Sequence, residues 1–159
     1  MKQQKQKIIL TVVVGFFGSV CLFATYSTGF NLVEGSKAGR ELKITLVNLE
    51  VMGDDTIVIT FQFTNVSALD IVVQKIGINI YANKEYMGNF DMQERTTLKQ
   101  GDTDIIFKAV VSPHNLPKLK AVIGNSQEIQ WHIKGGAVIE LPFHEMTTVV
   151  SIDEVWVST

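Results

Sequence analysis

From Glu41 onward, apolar and polar residues alternate with a period of two over most of the chain, the spacing that turns one face of a strand toward a core. Leu42, Ile44 and Leu46 alternate with Lys43 and Thr45, after which Leu49 and Val51 take the opposite parity, so a bulge or bend is expected near Asn48. A turn at Gly53-Asp54-Asp55 leads into the most regular strand. In it Ile57, Ile59, Phe61 and Phe63 share one face and Thr60, Gln62 and Thr64 the other, as a half-buried antiparallel strand requires. A polar break from Asn65 to Asp70 follows, and then a strand with Ile76, Ile78 and Ile80 on one face and Lys75, Asn79 and Tyr81 opposite. Asn83-Lys84 reads as the hairpin turn to Tyr86, Met87 and Phe90, so the stretch from Thr56 to Gly88 is the expected seed of an antiparallel sheet.

Further along, the polar stretch from Thr96 to Asp104 contains a turn at Gly101-Asp102, followed by a strand carrying Ile105, Phe107, Ala109 and Val111. The one helix expected in this part starts where its prolines allow. With Asn115 as N-cap, Pro117 falls in the first turn, where its missing N–H costs nothing, whereas a start at Pro113 would bury Pro117 inside the helix. Leu116, Leu119, Val122 and Ile123 then share a face and Gly124 ends the helix. Ile129, Trp131 and Ile133 alternate with Gln130, His132 and Lys134. Gly135-Gly136 reads as a tight turn, with Ala137, Ile139, Leu141 and Phe143 as the returning strand and Thr147 to Val157 as a last one. Seven to eight short strands with one short helix predict a mainly β protein, an immunoglobulin- or fibronectin-III-like antiparallel β-sandwich over residues 41–159, with a closed barrel as the alternative.

The N-terminal region follows another rule. Residues 1–7 are a basic tail, and 8–26 are apolar, with no charged residue between Ile8 and Thr25. That length matches a membrane-spanning helix of about 17–25 residues rather than the apolar part of a signal peptide, about 7–15. The expectation is an uncleaved transmembrane anchor, the alternative being a signal removed before Ser27 and a secreted domain. Lys2, Lys5 and Lys7 precede the apolar run and no lysine follows it directly, which places the N-terminus in the cytoplasm and the domain outside the cell membrane. Gly15 and Ser19 form a small-xxx-small pair that would let two anchors pack closely. Residues 27–40, rich in glycine and polar residues, read as a linker.

Charge and chemistry narrow the function. The chain has 14 lysines and arginines against 16 acidic residues; setting aside the three N-terminal lysines leaves 11 against 16, a net charge of −5, which disfavours nucleic acid as a partner. Cys21, the only cysteine, lies in the apolar run, so the domain holds no disulfide and no cysteine-based zinc site. His114, His132 and His144 lack metal-ligand spacing, Asp54-Asp55 and Asp102 with Asp104 read as turn formers, and no nucleophile or phosphate-loop motif occurs. No catalytic, cofactor-binding or metal-binding residue is therefore expected, and the protein reads as a non-enzyme. Asn65-Val66-Ser67 matches the N-glycosylation pattern at Asn65. Trp131, Trp156, Tyr81 and Tyr86 are candidates for an aromatic surface, with Trp131 expected in the core from its phase with Ile129 and Ile133.

Several stretches in order carry a family likeness: FTNVSALDIVV, IGINIYANKEYMG, LKQGDTDIIFKAVV, a short helix, and IQWHIKGGAVIELPF. This series resembles the late embryogenesis abundant type 2 family, also called the WHy domain (water stress and hypersensitive response), most of all its membrane-anchored prokaryotic members. Val66 stands where that family often has proline, and Lys84 where it often has glycine after Asn83. The resemblance implies a non-enzymatic sandwich associated with desiccation and other stress. The expected function is a protective or binding role at the outer membrane face in desiccation or osmotic stress, through the membrane and a protein or lipid partner. Alternatives are an immunoglobulin-like subunit of a cell-surface machine such as an archaellum or pilus, or a module that binds lipid or another apolar ligand.

Overall fold

A computed structural model of the chain describes residues 2–125, 128–141 and 147–158, with side chains from residue 17 onward except at 147. Among the described residues, two helices and eight strands follow in the order α1 (Lys2–Glu41), β1 (Lys43–Met52), β2 (Thr56–Asn65), β3 (Ile71–Ala82), β4 (Glu85–Met92), β5 (Thr96–Leu98), β6 (Gly101–Val110), α2 (Leu116–Asn125), β7 (Ile129–Glu140) and β8 (Thr147–Ser158). The strands form two antiparallel sheets, one ordered β1-β2-β6 and the other β4-β3-β7-β8, with β5 pairing beside β4 on the same side of β3.

Alternation decides what is buried. Ile57, Ile59, Phe61 and Phe63 of β2 and Ile76, Ile78 and Ile80 of β3 are fully inaccessible. They belong to one cluster with Ile105 and Phe107 of β6, Trp131, Ile133, Ala137 and Ile139 of β7 and Ile152 of β8, so both sheets share a single core. Each such side chain contributes about 1.5–3 kcal/mol by leaving water. The parity change in β1 is a register shift between Leu46 and Asn48, which brings both Leu46 and Leu49 inward. In the β3–β4 turn Asn83 and Lys84 both take positive φ, 48° and 71°, the primed turn whose twist suits a two-residue hairpin. The turn is fastened to the start of β7: the Asn83 N–H donates to the Gln130 carbonyl at 2.8 Å, and the Gln130 N–H donates to Asn83 Oδ1 at 2.9 Å.

Gly135-Gly136 is not a turn. Residues 129–140 form one uninterrupted strand, with Gly136 opposite Gly77 and Gly135 opposite Ile78 on β3, and with β8 paired along the other side. The glycines serve close backbone approach: a Cβ on Gly135 would overlap the Gly77 carbonyl oxygen and come within 2.8 Å of Ile78 Cα, and one on Gly136 would come within 2.9 Å of Val149 Cγ1. Phe143, expected in a returning strand, lies outside the described residues. β5, in the stretch expected to be polar, adds a short pairing to β3.

Residues 27–40, expected as a linker, are helical, because α1 continues through them to Glu41. Ala, Lys, Arg and Glu in this stretch favour helix, and extending an existing helix avoids the cost of nucleation. Its last turns also gain contacts. Gly35 and Ala38 are buried, Gly39 lies against Leu141, and the Glu34 carboxylate accepts the Ala68 N–H at 2.8 Å. Among the described residues, no helix is long and apolar enough to cross a membrane, and the side chains of residues 8–16, about half of the expected anchor, lie outside them. In α2, Leu119 and Val122 are buried as expected whereas Ile123 is exposed, and the helix runs one residue past Gly124.

Two substitutions separate these readings by thermal melting of the full chain. Gly135→Ala is expected to destabilise by about 2–3 kcal/mol, the cost of overpacking a rigid contact, whereas a turn glycine exposed to solvent would lose less. Lys84→Gly is expected to stabilise by about 1 kcal/mol, raising Tm by roughly 3–5 °C, since it relieves a left-handed lysine.

Candidate functional site

The outer face of the larger sheet gathers side chains with chemistry. Register aligns Tyr86, Tyr81, His132 and Val155 as one row across β4, β3, β7 and β8, and Asn89, Asn79, Lys134 and Asp153 as the row beside it. A shift between Ile80 and Tyr81 makes the first row possible: Met87 has no residue opposite it and turns into the core, leaving Tyr86 on the outside. The Tyr81 and Tyr86 rings are 5.4 Å apart and tilted by 51°, and the His132 ring lies 6.4 Å from Tyr81. In the second row Asn89 Nδ2 donates to Asn79 Oδ1 at 3.1 Å. His132 Nε2 and Asp153 Oδ1, 2.6 Å apart, join the rows.

Between them lies an open cleft of about 300 Å³ lined by Tyr81, Lys84, Gln130, His132, Lys134 and Val155. The fastened β3–β4 turn brings Lys84 to its rim. Asp153 titrates below its ordinary value of 3.8, chiefly because His132 hydrogen-bonds to it and further because of the Lys134 charge, with slight burial opposing. The cleft thus presents two ammonium groups, an imidazole, a primary amide and an aromatic ring, with one carboxylate that is already engaged. It offers recognition of an anion or a polar ring and no nucleophile–base pair.

The structure separates the other candidates. Asn65 is 1% exposed; its Nδ2 donates to the Leu69 and Leu98 carbonyls at 2.9 and 3.2 Å, and its Oδ1 accepts the Ser67 N–H at 3.0 Å. The atom a glycan would attach to is a buried bracket of the 65–70 loop, and modification would remove one of the two N–H donors that hold it. Of the Gly15–Ser19 pair, Gly15 lies outside the described side chains and Ser19 is on the exposed surface of α1. His144 is outside the described residues, His114 is exposed, and His132 joins the cleft. Asp54 pairs with Lys120 at 2.8 Å, which lowers its pKa, while Asp102 accepts the Thr64 hydroxyl at 2.7 Å and Asp104 the Gln62 amide at 3.4 Å. Among the described residues no group of three or more His, Cys, Asp and Glu converges on a metal position. The four aromatic residues divide: Trp131 is buried with its indole N–H donating to Ser158 Oγ at 3.0 Å, Trp156 packs against the core, and the two tyrosines stay outside. The sequence marked Tyr81, His132 and Lys134 as polar-face residues but not as neighbours. The signal that could have joined them is the unbroken parity from Ile129 to Leu141 through the two glycines.

No protein-family model and no curated protein matches the sequence. Solved structures do. The solution structure of AT1g01470 from Arabidopsis thaliana superposes with a TM-score of 0.54 at 17% identity, covering 73% of this chain and 76% of that one. At2g46140.1, provisionally assigned as a late embryogenesis abundant (LEA) protein, gives 0.54 at 14% identity over 85% of this chain and 84% of that one. The fold is LEA-like. At these identities the likeness concerns the fold alone, and the cleft of the LEA-like domain is described by its own residues.

The His132–Asp153 contact can be checked by titration. A carboxylate whose folded pKa is depressed contributes stability that is present above its unfolded value and lost as pH falls through the folded one. The Asp153 carboxyl carbon signal in NMR is expected to titrate below 3.8 in the native chain and to move upward in His132→Ala; an unchanged midpoint would show that the contact is not formed in solution.

Proposed function

We propose that the chain is a non-enzymatic sandwich of immunoglobulin or fibronectin-III-like type, held by α1 at a cell membrane, that protects or binds proteins or lipids at the outer face during desiccation or osmotic stress. The likeness in fold to At2g46140.1 over 85% of the chain carries the stress reading, in keeping with the sequence resemblance to membrane-anchored prokaryotic WHy proteins. The anchor is supported by α1 itself. Phe17, Val20, Leu22, Phe23, Tyr26, Phe30, Leu32 and Val33 are all exposed, and an exposed apolar surface of that extent marks contact with lipid or with another protein. The lysines before this run favour an N-terminus inside and a domain outside.

The edge strand β8 favours a second reading, an immunoglobulin-like subunit of a surface assembly such as an archaellum or pilus. It is twelve residues long, pairs on one side only, exposes Val149, Val155 and Val157, and lacks the lysine or proline that commonly blunts a free edge. One comparison separates the two. Deletion of the gene is expected to lower survival through drying or osmotic shock, with the full chain restoring it. Unchanged survival, together with a stoichiometric protein recovered by crosslinking in native membranes, would reject the stress role in favour of the assembly.

A further inference from the structure

The chemistry of the outer cleft goes beyond a general protective role, and its reading rests on geometry rather than on that role. We infer that the cleft binds an acidic carbohydrate, a glycan bearing carboxylate groups. Three observations lead there. The first is charge: the domain is acidic overall, yet Lys84 and Lys134 converge on this cleft beside His132; Asp153 is hydrogen-bonded to His132 at 2.6 Å and lies opposite Lys134, so the unopposed ammonium is that of Lys84. Lys84 forms no ion pair among the described residues. A local cationic site on an anionic surface selects for anions at short range.

The second observation is the mixture of surfaces. Tyr81 and Val155 give an apolar floor between the charged groups, and Gln130 supplies an amide that both donates and accepts. The C–H face of a sugar ring suits the tyrosine, its hydroxyls suit the amide, and its carboxylates suit the two ammonium groups. Phosphate is also bound by lysine as a point charge, but the geometrically specific phosphate sites add arginine forks or a nest of free backbone N–H groups. This cleft has no arginine, and the backbone of β3 and β7 beneath it is committed to the ladder.

The third is shape and position. The cleft is shallow and open, and it is lined from β3, β7 and β8 with Lys84 of the β3–β4 turn, three strands spaced about 4.8 Å apart, roughly 10 Å in all, which fits a short stretch of linear glycan lying across the sheet. α1 joins the domain at the Lys43 end of the strands, whereas Tyr81 and Gln130 lie at the other end, about 30 Å away along β3 at about 3.3 Å per residue. The cleft therefore lies at the end of the larger sheet far from α1.

The test is calorimetry on the full chain in detergent micelles, titrated with tetragalacturonic acid, with a neutral tetrasaccharide of glucose, with inorganic phosphate, and with phosphatidylglycerol vesicles. Tetragalacturonic acid is expected to bind, more weakly as salt rises, and Lys84→Gln and Lys134→Gln are each expected to reduce affinity about tenfold without changing Tm, while NMR signals of Tyr81 and His132 shift on binding. Equal binding of the neutral sugar, stronger binding of phosphate or of vesicles, affinity unchanged in both lysine variants, or no binding of tetragalacturonic acid would each overturn the assignment. None of these outcomes depends on survival in drying, so the site can fail while the stress role stands, and the reverse.

Discussion

The close passage of β3 and β7 is the constraint on which the larger sheet depends. These two twelve-residue strands are its centre: β4 and β5 pair with β3, and β8 pairs with β7. At Gly135 the two backbones approach so closely that a side chain would occupy the position of the Gly77 carbonyl oxygen, so this position must be glycine for the ladder to continue, while a Cβ on the next residue, Gly136, would meet Val149 and the Val150 carbonyl of β8. Two glycines in sequence could equally have reversed the chain. What holds them extended is that β7 is paired on both sides, with β3 and β8, so a reversal there would strand ladder N–H and C=O groups on three strands. Continuity has a second consequence: Trp131, Ile133, Ala137 and Ile139 keep one parity and all fall in the core.

The same continuity fixes the outer face. Because β7 is not broken, His132 and Lys134 stay in register with Tyr81 and Asn79 on β3 and with Val155 and Asp153 on β8. The bulge at Met87 sets the remaining member, since one extra residue on β4 sends methionine inward and leaves Tyr86 beside Tyr81. Backbone contacts in the middle of the sheet thus determine which side chains meet near its end.

Much of this was legible in the sequence. Strict alternation identified β2, β3, β6 and the first half of β7, because a period of two with branched and aromatic residues has few other solutions. The parity change in β1, the Asn83-Lys84 turn and the start of α2 were legible as well, each from steric or hydrogen-bonding rules local to a few residues. Two features are not legible from local composition, the extended course of Gly135-Gly136 and the helical course of residues 27–40, because tertiary contacts decide both. Gly77 on another strand makes the glycines a crossing point, and the burial of Gly35 and Ala38 with the Glu34–Ala68 bond joins the last turns of α1 to the domain. The aromatic and basic residues of the cleft were visible one by one, but no local rule sets cross-strand register, so their meeting was not.

Buried and exposed faces answer to different demands. Every inward position of β3 and β7 around the cleft is apolar and filled, which the core alone explains. The outward positions are not explained in that way. The His132 and Asp153 side chains are 37% and 63% exposed, and ion pairs so open to water add little to folding. Lys84 is held in a backbone conformation that glycine would adopt more easily, which places an ammonium group at the cleft rim at some expense in stability. A fold selected for stability alone would gain by glycine at that position, so the lysine is better explained by what it faces than by what it supports.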